Sequence, residues 1–343
     1  MPFSEGPFGP SASSLHPITY RHTPRTSLCK DPKDYTSPTI PCMKTAQSVP
    51  SVHATMPDLP AIAPPYQLTA TRHGTMLINR NDIFMGQSFL RYGECCQFEI
   101  DLLLRLITPS GPSASGLVLE VGSNMGVHTI PLALELARQG RSMLAFEPQP
   151  VIFQQLCANL ALNGLMNVTA FPYACGASPG ILSFQAPDYL TLGNFGGTAM
   201  SPAPARPRTQ TVPCCPLDSF VHDAPVALIK IDVEGHELRV LQGARNILSR
   251  SHPILYVEND RIEQSPELIE CLLTQGYRLW WHITPAFNPD NFLELQQNFY
   301  GDISFFNMLG VHRSRSITIQ GLPEITDPAL HPFASDQAIA TPS

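Results

Sequence analysis

Eight consecutive residues, Lys230-Ile231-Asp232-Val233-Glu234-Gly235-His236-Glu237, crowd one ammonium, three carboxylates and an imidazole together. So dense a polar cluster seldom serves packing alone. Burial and mutual repulsion can raise a carboxylate pKa far enough to make it a general base, and histidine titrates in the same range. The cluster ends an apolar, strand-like run from Val226 to Asp232, and period-two alternation places Lys230, Asp232 and Glu234 on one side of it. A second acidic group, Glu258-Asn259-Asp260-Arg261, ends the next such run. Plainer roles stay open: Lys230 as a neutralising salt bridge, Glu237 as the complement of a helix N-terminus, and His236 as a surface residue.

A third constellation lies earlier in the chain. LVLEVGSNMG (Leu117 to Gly126) runs from a buried-strand pattern into a Gly-x-x-x-Gly turn, and VHTIPLALELA continues it with helical spacing. Strand, tight loop and helix together present backbone N–H groups and a helix N-terminus to whatever sits at the strand's end. The spacing is not the dinucleotide G-x-G-x-x-G, and the Lys-Ser/Thr ending of a phosphate loop is missing. The next strand-like run ends Phe146-Glu147-Pro148, where an acidic residue is placed to accept hydrogen bonds from both hydroxyls of a ribose. A nucleoside-like ligand is the reading these residues favour.

The elements that must position these groups alternate. Strand-like runs LVLEV, SMLAFE, NVTAFPYA, VALIKID and PILYVEN are separated by helical patterns at Val127 to Arg138, Val151 to Asn163 and Glu237 to Leu248. This predicts an α/β fold with a doubly wound, mostly parallel sheet, whose ligands bind outside the strands' carboxyl ends. A further helix is expected from Leu268 to Gln275, with Ser265 as N-cap, Pro266 in the first position and Glu267 in the first turn. Tyr277 to Ile283 and Ile303 to His312 then suit a closing antiparallel hairpin. The irregular stretch from Gln185 to Pro216 is long enough for a lid or binding element.

Composition bounds the rest. The 343 residues are 43% hydrophobic, enough for a substantial core, and the net charge of -7 argues against a nucleic-acid partner. The nine cysteines, with adjacent pairs Cys95-Cys96 and Cys214-Cys215, show no C-x-x-C, which points to buried thiols in a reducing, cytoplasmic setting and to neither a disulfide framework nor a zinc site. No apolar run reaches the length of a membrane span. Proline, serine and threonine dominate the aperiodic residues 1–65, expected to be disordered, with Met43 and Met56 as alternative starts. The folded body is expected over 66–320 and a flexible tail over 321–343.

EVGSNMG, AFEPQP, KIDVEGHELRVLQGA and PILYVEN, in that order and spacing, resemble the FkbM family of S-adenosylmethionine-dependent methyltransferases. The resemblance spans roughly Asp82 to His312 and includes the lead-in Gly86 to Glu99, Asn194-Phe195-Gly196 and Pro216-Leu217-Asp218. It departs from the family's usual pattern at Glu120, where Asp is common, and at His236. It implies a seven-stranded Rossmann-like class I methyltransferase sheet and methyl transfer from S-adenosyl-L-methionine to an oxygen of a sugar, glycan or secondary metabolite. Glu120, Gly122, Ser123, Asn124, Gly126, Glu147, Pro148 and Asp232 become the expected cofactor residues. Asp232 with His236, supported by Lys230 and Glu258, become the expected catalytic ones. Asp232, Glu234, Glu258 and Asn259 are hard oxygen donors of a kind that Mg²⁺ accepts, but they do not establish a site, and no metal is assigned. A non-catalytic nucleoside-binding module is the alternative, and a nicotinamide-dependent dehydrogenase is disfavoured by the loop spacing.

Overall fold

The structure, a computed structural model, describes residues 62–111, 113, 115–200 and 208–332, so the expectation for residues 1–65 lies almost wholly outside the described residues. The described chain opens with an antiparallel hairpin of β1 (Tyr66–Thr71) and β2 (Gly74–Asn79), followed by α1 (Met85–Tyr92) and α2 (Gln97–Ile107). The alternation then begins with β3 (Leu117–Val121), α3 (Thr129–Arg138), β4 (Met143–Phe146), α4 (Pro150–Leu162) and β5 (Val168–Phe171). A small sheet of β6 (Ala174–Cys175), β7 (Gly180–Gln185) and β8 (Thr209–Cys215) interrupts it. It resumes with β9 (Val226–Ile231), α5 (Glu237–Gln242), α6 (Arg245–Ser251), β10 (Ile254–Glu258) and α7 (Ser265–Thr274), and closes with β11 (Tyr277–Pro285) and β12 (Ser304–His312).

The seven-stranded sheet has the order β11-β12-β10-β9-β3-β4-β5, with β12 alone running against the other six strands. Its central strands are covered on both faces and so read as near-continuous apolar runs. Alternate residues serve opposite layers. Val118, Leu228 and Ile254 pack with Leu103 and Leu132 of α2 and α3, whereas Leu119, Ile229 and Leu255 pack with Val240, Ile247 and Leu268 of α5, α6 and α7. The strand order reverses between β3 and β9, which opens a crevice at their carboxyl ends.

The expected hairpin forms, with Trp281 opposite Met308. Three local expectations do not hold. The helix expected from Glu237 to Leu248 breaks at Gly243, whose missing Cβ admits the carbonyl of Gly176, and Asp218 then accepts from Asn246 N and Ile247 N at 3.0 Å to cap α6 from outside. Ser265 is the first residue of α7 rather than its N-cap, and its hydroxyl accepts from Asn259 Nδ2 at 2.9 Å. The irregular stretch is shorter than Gln185 to Pro216, because β8 pairs with β7. The packed chain also continues past 320: Ile325 N donates to Leu279 O at 2.8 Å, and His331 is buried against Asn259 O.

Candidate functional site

The loop after β3 is drawn tightly over the ends of its neighbours. Gly122 N and Ser123 N both donate to Phe146 O, at 2.9 and 3.0 Å, while Asp232 N donates to Val121 O at 3.0 Å. Gly122 has φ +84, and a Cβ there would collide with the Asp232 carbonyl. This glycine is therefore required by the approach of the β9 end. Asn124 turns the chain through the left-handed region at φ 49, and its Oδ1 accepts from Met125 N at 2.7 Å. Gly126 packs against Leu156 and Ile130 under the loop.

Above these turns lies a cleft with two joined compartments, of about 470 and about 990 Å³ counted out to their open mouths. Gly122, Glu147, Gln149, Gly196, Asp232 and Glu234 border both. The smaller is lined by Pro148, Tyr173, Cys175, Val233 and His236. Ser123, Asn124, Cys96, Glu99, His128 and Glu258 belong to the larger. The segment between β7 and β8 contributes Asn194, Gly196 and Gly197 to the larger and Thr198 and Met200 to the smaller. It is held down by buried Phe195 and by Gln149 Nε2, which donates to Phe195 O at 3.0 Å.

The expected site residues divide accordingly. Gly122, Ser123, Asn124, Glu147, Pro148, Asp232, His236 and Glu258 border the cleft. Glu120, Gly126 and Lys230 do not line either compartment: Glu120 and Lys230 are buried behind it, at 0% and 1% exposure. Among the four hard oxygen donors, Asn259 is turned away into bonds with Ser265 and Met308. His236 faces the smaller compartment, whereas Glu258 faces the larger.

Electrostatics distinguish the carboxylates. Glu147 accepts from Asn124 N at 2.9 Å and from Gln149 N at 2.8 Å, yet burial outweighs both bonds and pushes its pKa up to about 7. Burial likewise raises Glu120 and Glu234 to about 7. Burial acts to raise Asp232 too, but the Lys230 ammonium at 2.9 Å outweighs it and holds the carboxyl below its ordinary range. Burial, then the Asp232 charge, pushes Glu258 well above the carboxylate range. Lys230, whose burial alone would lower its pKa, is raised by Asp232, Glu120 and Glu99 together. Burial, then Arg239, lowers His236. Asp232 is thus the charged acceptor at the junction of the compartments.

Cys96, Glu99 and His128 are cleft residues that the motif reading missed. Cys96 and Glu99 begin α2, and His128 caps α3, with Nε2 3.1 Å from Glu99 Oε2. The available signal was a histidine two residues past Gly126 and a glutamate in the first turn of α2.

Strand order and a carboxyl-end cleft define a Rossmann-like, mostly parallel, doubly wound sheet. Within it, residues 120–279 match the model of the methyltransferase FkbM domain. It is 29% identical over 132 residues to the hexuronic acid methyltransferase AglP of Haloferax volcanii, covering 38% of this chain and 50% of that protein. The chain thus spans about half the length of this curated relative. Solved structures that it resembles include the FkbM methyltransferase of Methylobacillus flagellatus, at TM-score 0.39 and 18% identity over 58% of this chain and 44% of that one. The precorrin-6y C5,15-methyltransferase of Geobacter metallireducens gives TM-score 0.40 and 13% identity, over 63% and 89% of the two chains. Among the described residues no helix is long and apolar enough to cross a membrane.

Proposed function

We propose that the chain transfers the methyl group of S-adenosyl-L-methionine to a hydroxyl oxygen of a neutral sugar, glycan or similar polyhydroxylated metabolite. The observation that carries this reading is the meeting of Glu147, the Gly122 to Asn124 turn and Asp232 where the two compartments join. When bound, the cofactor supplies a methyl group already activated on a sulfonium. Pro148, Tyr173, Cys175, Val233 and His236 offer an apolar bed for its adenine. Glu147 would grip the ribose, since each carboxylate oxygen that accepts one backbone N–H keeps a second acceptor site. Ser123 and Asn124 border the part of the cleft suited to the amino-acid portion.

The larger compartment carries Glu99, Glu147, Asp232, Glu234, Glu258 and Asp260, with no lysine or arginine lining it among the described residues. That field favours the sulfonium and disfavours an anionic acceptor. Asp232, half-exposed and kept ionised, accepts the hydrogen bond of an incoming hydroxyl and takes its proton as the oxygen attacks. Lys230 fixes its orientation and charge. The remaining contribution of the chain is alignment of donor and acceptor, which by itself is worth many powers of ten in rate.

The test is product analysis after incubation of the full chain with methyl-labelled cofactor and a mixture of neutral oligosaccharides, uronic acids and amines. Label in a methyl ether of a neutral acceptor is the expected result. Label confined to a carboxylate or a nitrogen overturns the proposed acceptor class.

A further inference from the structure

A cluster on the wall of the larger compartment has the composition of a metal site. Cys96 Sγ, a Glu99 carboxylate oxygen and a His128 ring nitrogen all lie within 4.8 Å of one another, and all three residues are buried. The elements place them there independently. Cys96 and Glu99 lie three residues apart at the start of α2, which puts them on one helix face, and His128 arrives from the cap of α3. Cys96 holds φ 54, a backbone region that side-chain-bearing residues rarely adopt.

The imidazole is oriented for coordination. Its Nε2 points to Glu99 Oε2 at 3.1 Å, and its Nδ1 faces Glu120 Oε1 at 4.0 Å. That Glu120 oxygen is a buried acceptor without a hydrogen-bond partner, while the other oxygen accepts from Thr129 Oγ1 at 2.6 Å. A carboxylate behind the far ring nitrogen is the arrangement that orients metal-bound histidines. Charge points the same way: Glu99, Glu120 and Asp232 surround a single buried ammonium, Lys230. Tetrahedral bonds of about 2.0 to 2.3 Å separate ligand atoms by roughly 3.3 to 3.8 Å. The His128–Glu99 edge, at 3.1 Å, is already near that range, and the other edges are no longer than 4.8 Å.

From this geometry we propose that Cys96, Glu99 and His128 bind one divalent ion of the borderline, zinc-like class, with Glu120 as the positioning residue behind His128. Cys96, Glu99 and His128 all open on the cleft, so a fourth coordination position faces it and is available to water or to an oxygen of a bound molecule. Cysteine spacing in the sequence could not disclose this set, because it draws one thiol from a Cys-Cys pair and its other ligands from a glutamate and a distant histidine. The site stands apart from the methyl-transfer reading, and its test needs no methyl donor.

Cobalt(II) chloride is titrated into full-length chain dialysed against a chelator, with folding of each variant checked by circular dichroism. The expected result is one Co²⁺ per chain, a thiolate-to-metal charge-transfer band in the near ultraviolet, and loss of that band when Zn²⁺ is added. Cys96→Ser should abolish the band and Cys95→Ser should retain it. Glu120→Gln should weaken binding by about 10- to 100-fold while leaving the band's shape unchanged. No band in the wild-type chain, or a band that survives Cys96→Ser, overturns the proposal. Should Cys96→Ser fail to fold, a band kept in Cys95→Ser and weakened in Glu120→Gln still supports it, and a band lost in Cys95→Ser refutes it.

Discussion

Gly122→Ala isolates the packing that joins the ends of β3 and β9. The residue sits at φ +84, where an L side chain is strained, and its Cβ would lie 2.8 Å from the Asp232 carbonyl carbon and closer still to its oxygen. Gly140 provides the control: it also has positive φ, at +65, but a Cβ there meets nothing within 4 Å. The conformational penalty, about 1 to 2 kcal/mol, applies to both substitutions. Only Gly122→Ala must also push backbone apart, adding roughly 1 to 3 kcal/mol of overpacking. Expected destabilisation is therefore about 1 to 2 kcal/mol for Gly140→Ala and about 2 to 5 kcal/mol for Gly122→Ala. Urea denaturation followed by circular dichroism reads the difference, provided the two variants share one m-value. Equal stability of the two variants would refute the close approach.

Lys230→Met should cost about 3 to 5 kcal/mol in the same assay, because Asp232, Glu120 and Glu99 lose their buried counter-charge; a loss under about 1 kcal/mol would mean that the cluster is held otherwise. Asp232→Asn should lower kcat by about 10²- to 10⁴-fold with little change in cofactor affinity, and His236→Ala, in the other compartment, should cost less; the reverse ranking would make the imidazole the base. Stability should fall as pH rises from about 4.5 to 7. Glu147 and Asp82 are raised by burial from 4.5 to about 7 and from 3.8 to about 6, so the folded chain binds more protons than the unfolded chain in that window. Thermal midpoints measured across that window check the sign, and a steady rise with pH would contradict it.

Much of the sheet was readable because parallel strands buried on both faces leave unbroken apolar runs, as in LVLEV and VALIKI. The polar groups at strand ends could be placed for the same reason: once Ile231 is interior, Asp232 must lie at the sheet's edge. What escaped depends on partners distant in sequence. Gly243 breaks its helix only because Gly176 and Pro216 come close, and Ser265 leaves the cap position because Asn259 and its own burial engage it. The β1–β2 hairpin carries a weak alternation and relies on α4, whose Asn159 Oδ1 accepts from Leu77 N at 2.6 Å. Side-chain direction was harder still. Glu120 and Glu147 both belong to strand-end motifs, but only Glu147 reaches the cleft.

Calorimetric titration of the full chain with S-adenosylhomocysteine, with NAD as comparator and Glu147→Ala as the variant, tests the central assignment of the cleft most directly. The expected result is one S-adenosylhomocysteine bound per chain, no NAD binding, and about 1 to 3 kcal/mol of affinity lost in Glu147→Ala, which gives up hydrogen bonds to a buried carboxyl. Part of that loss will accompany lower stability, since the Asn124 and Gln149 N–H groups lose their acceptor, so the variant's folding must be confirmed in the same preparation. Binding of NAD alone, or unchanged S-adenosylhomocysteine affinity in a folded Glu147→Ala chain, would contradict the assignment.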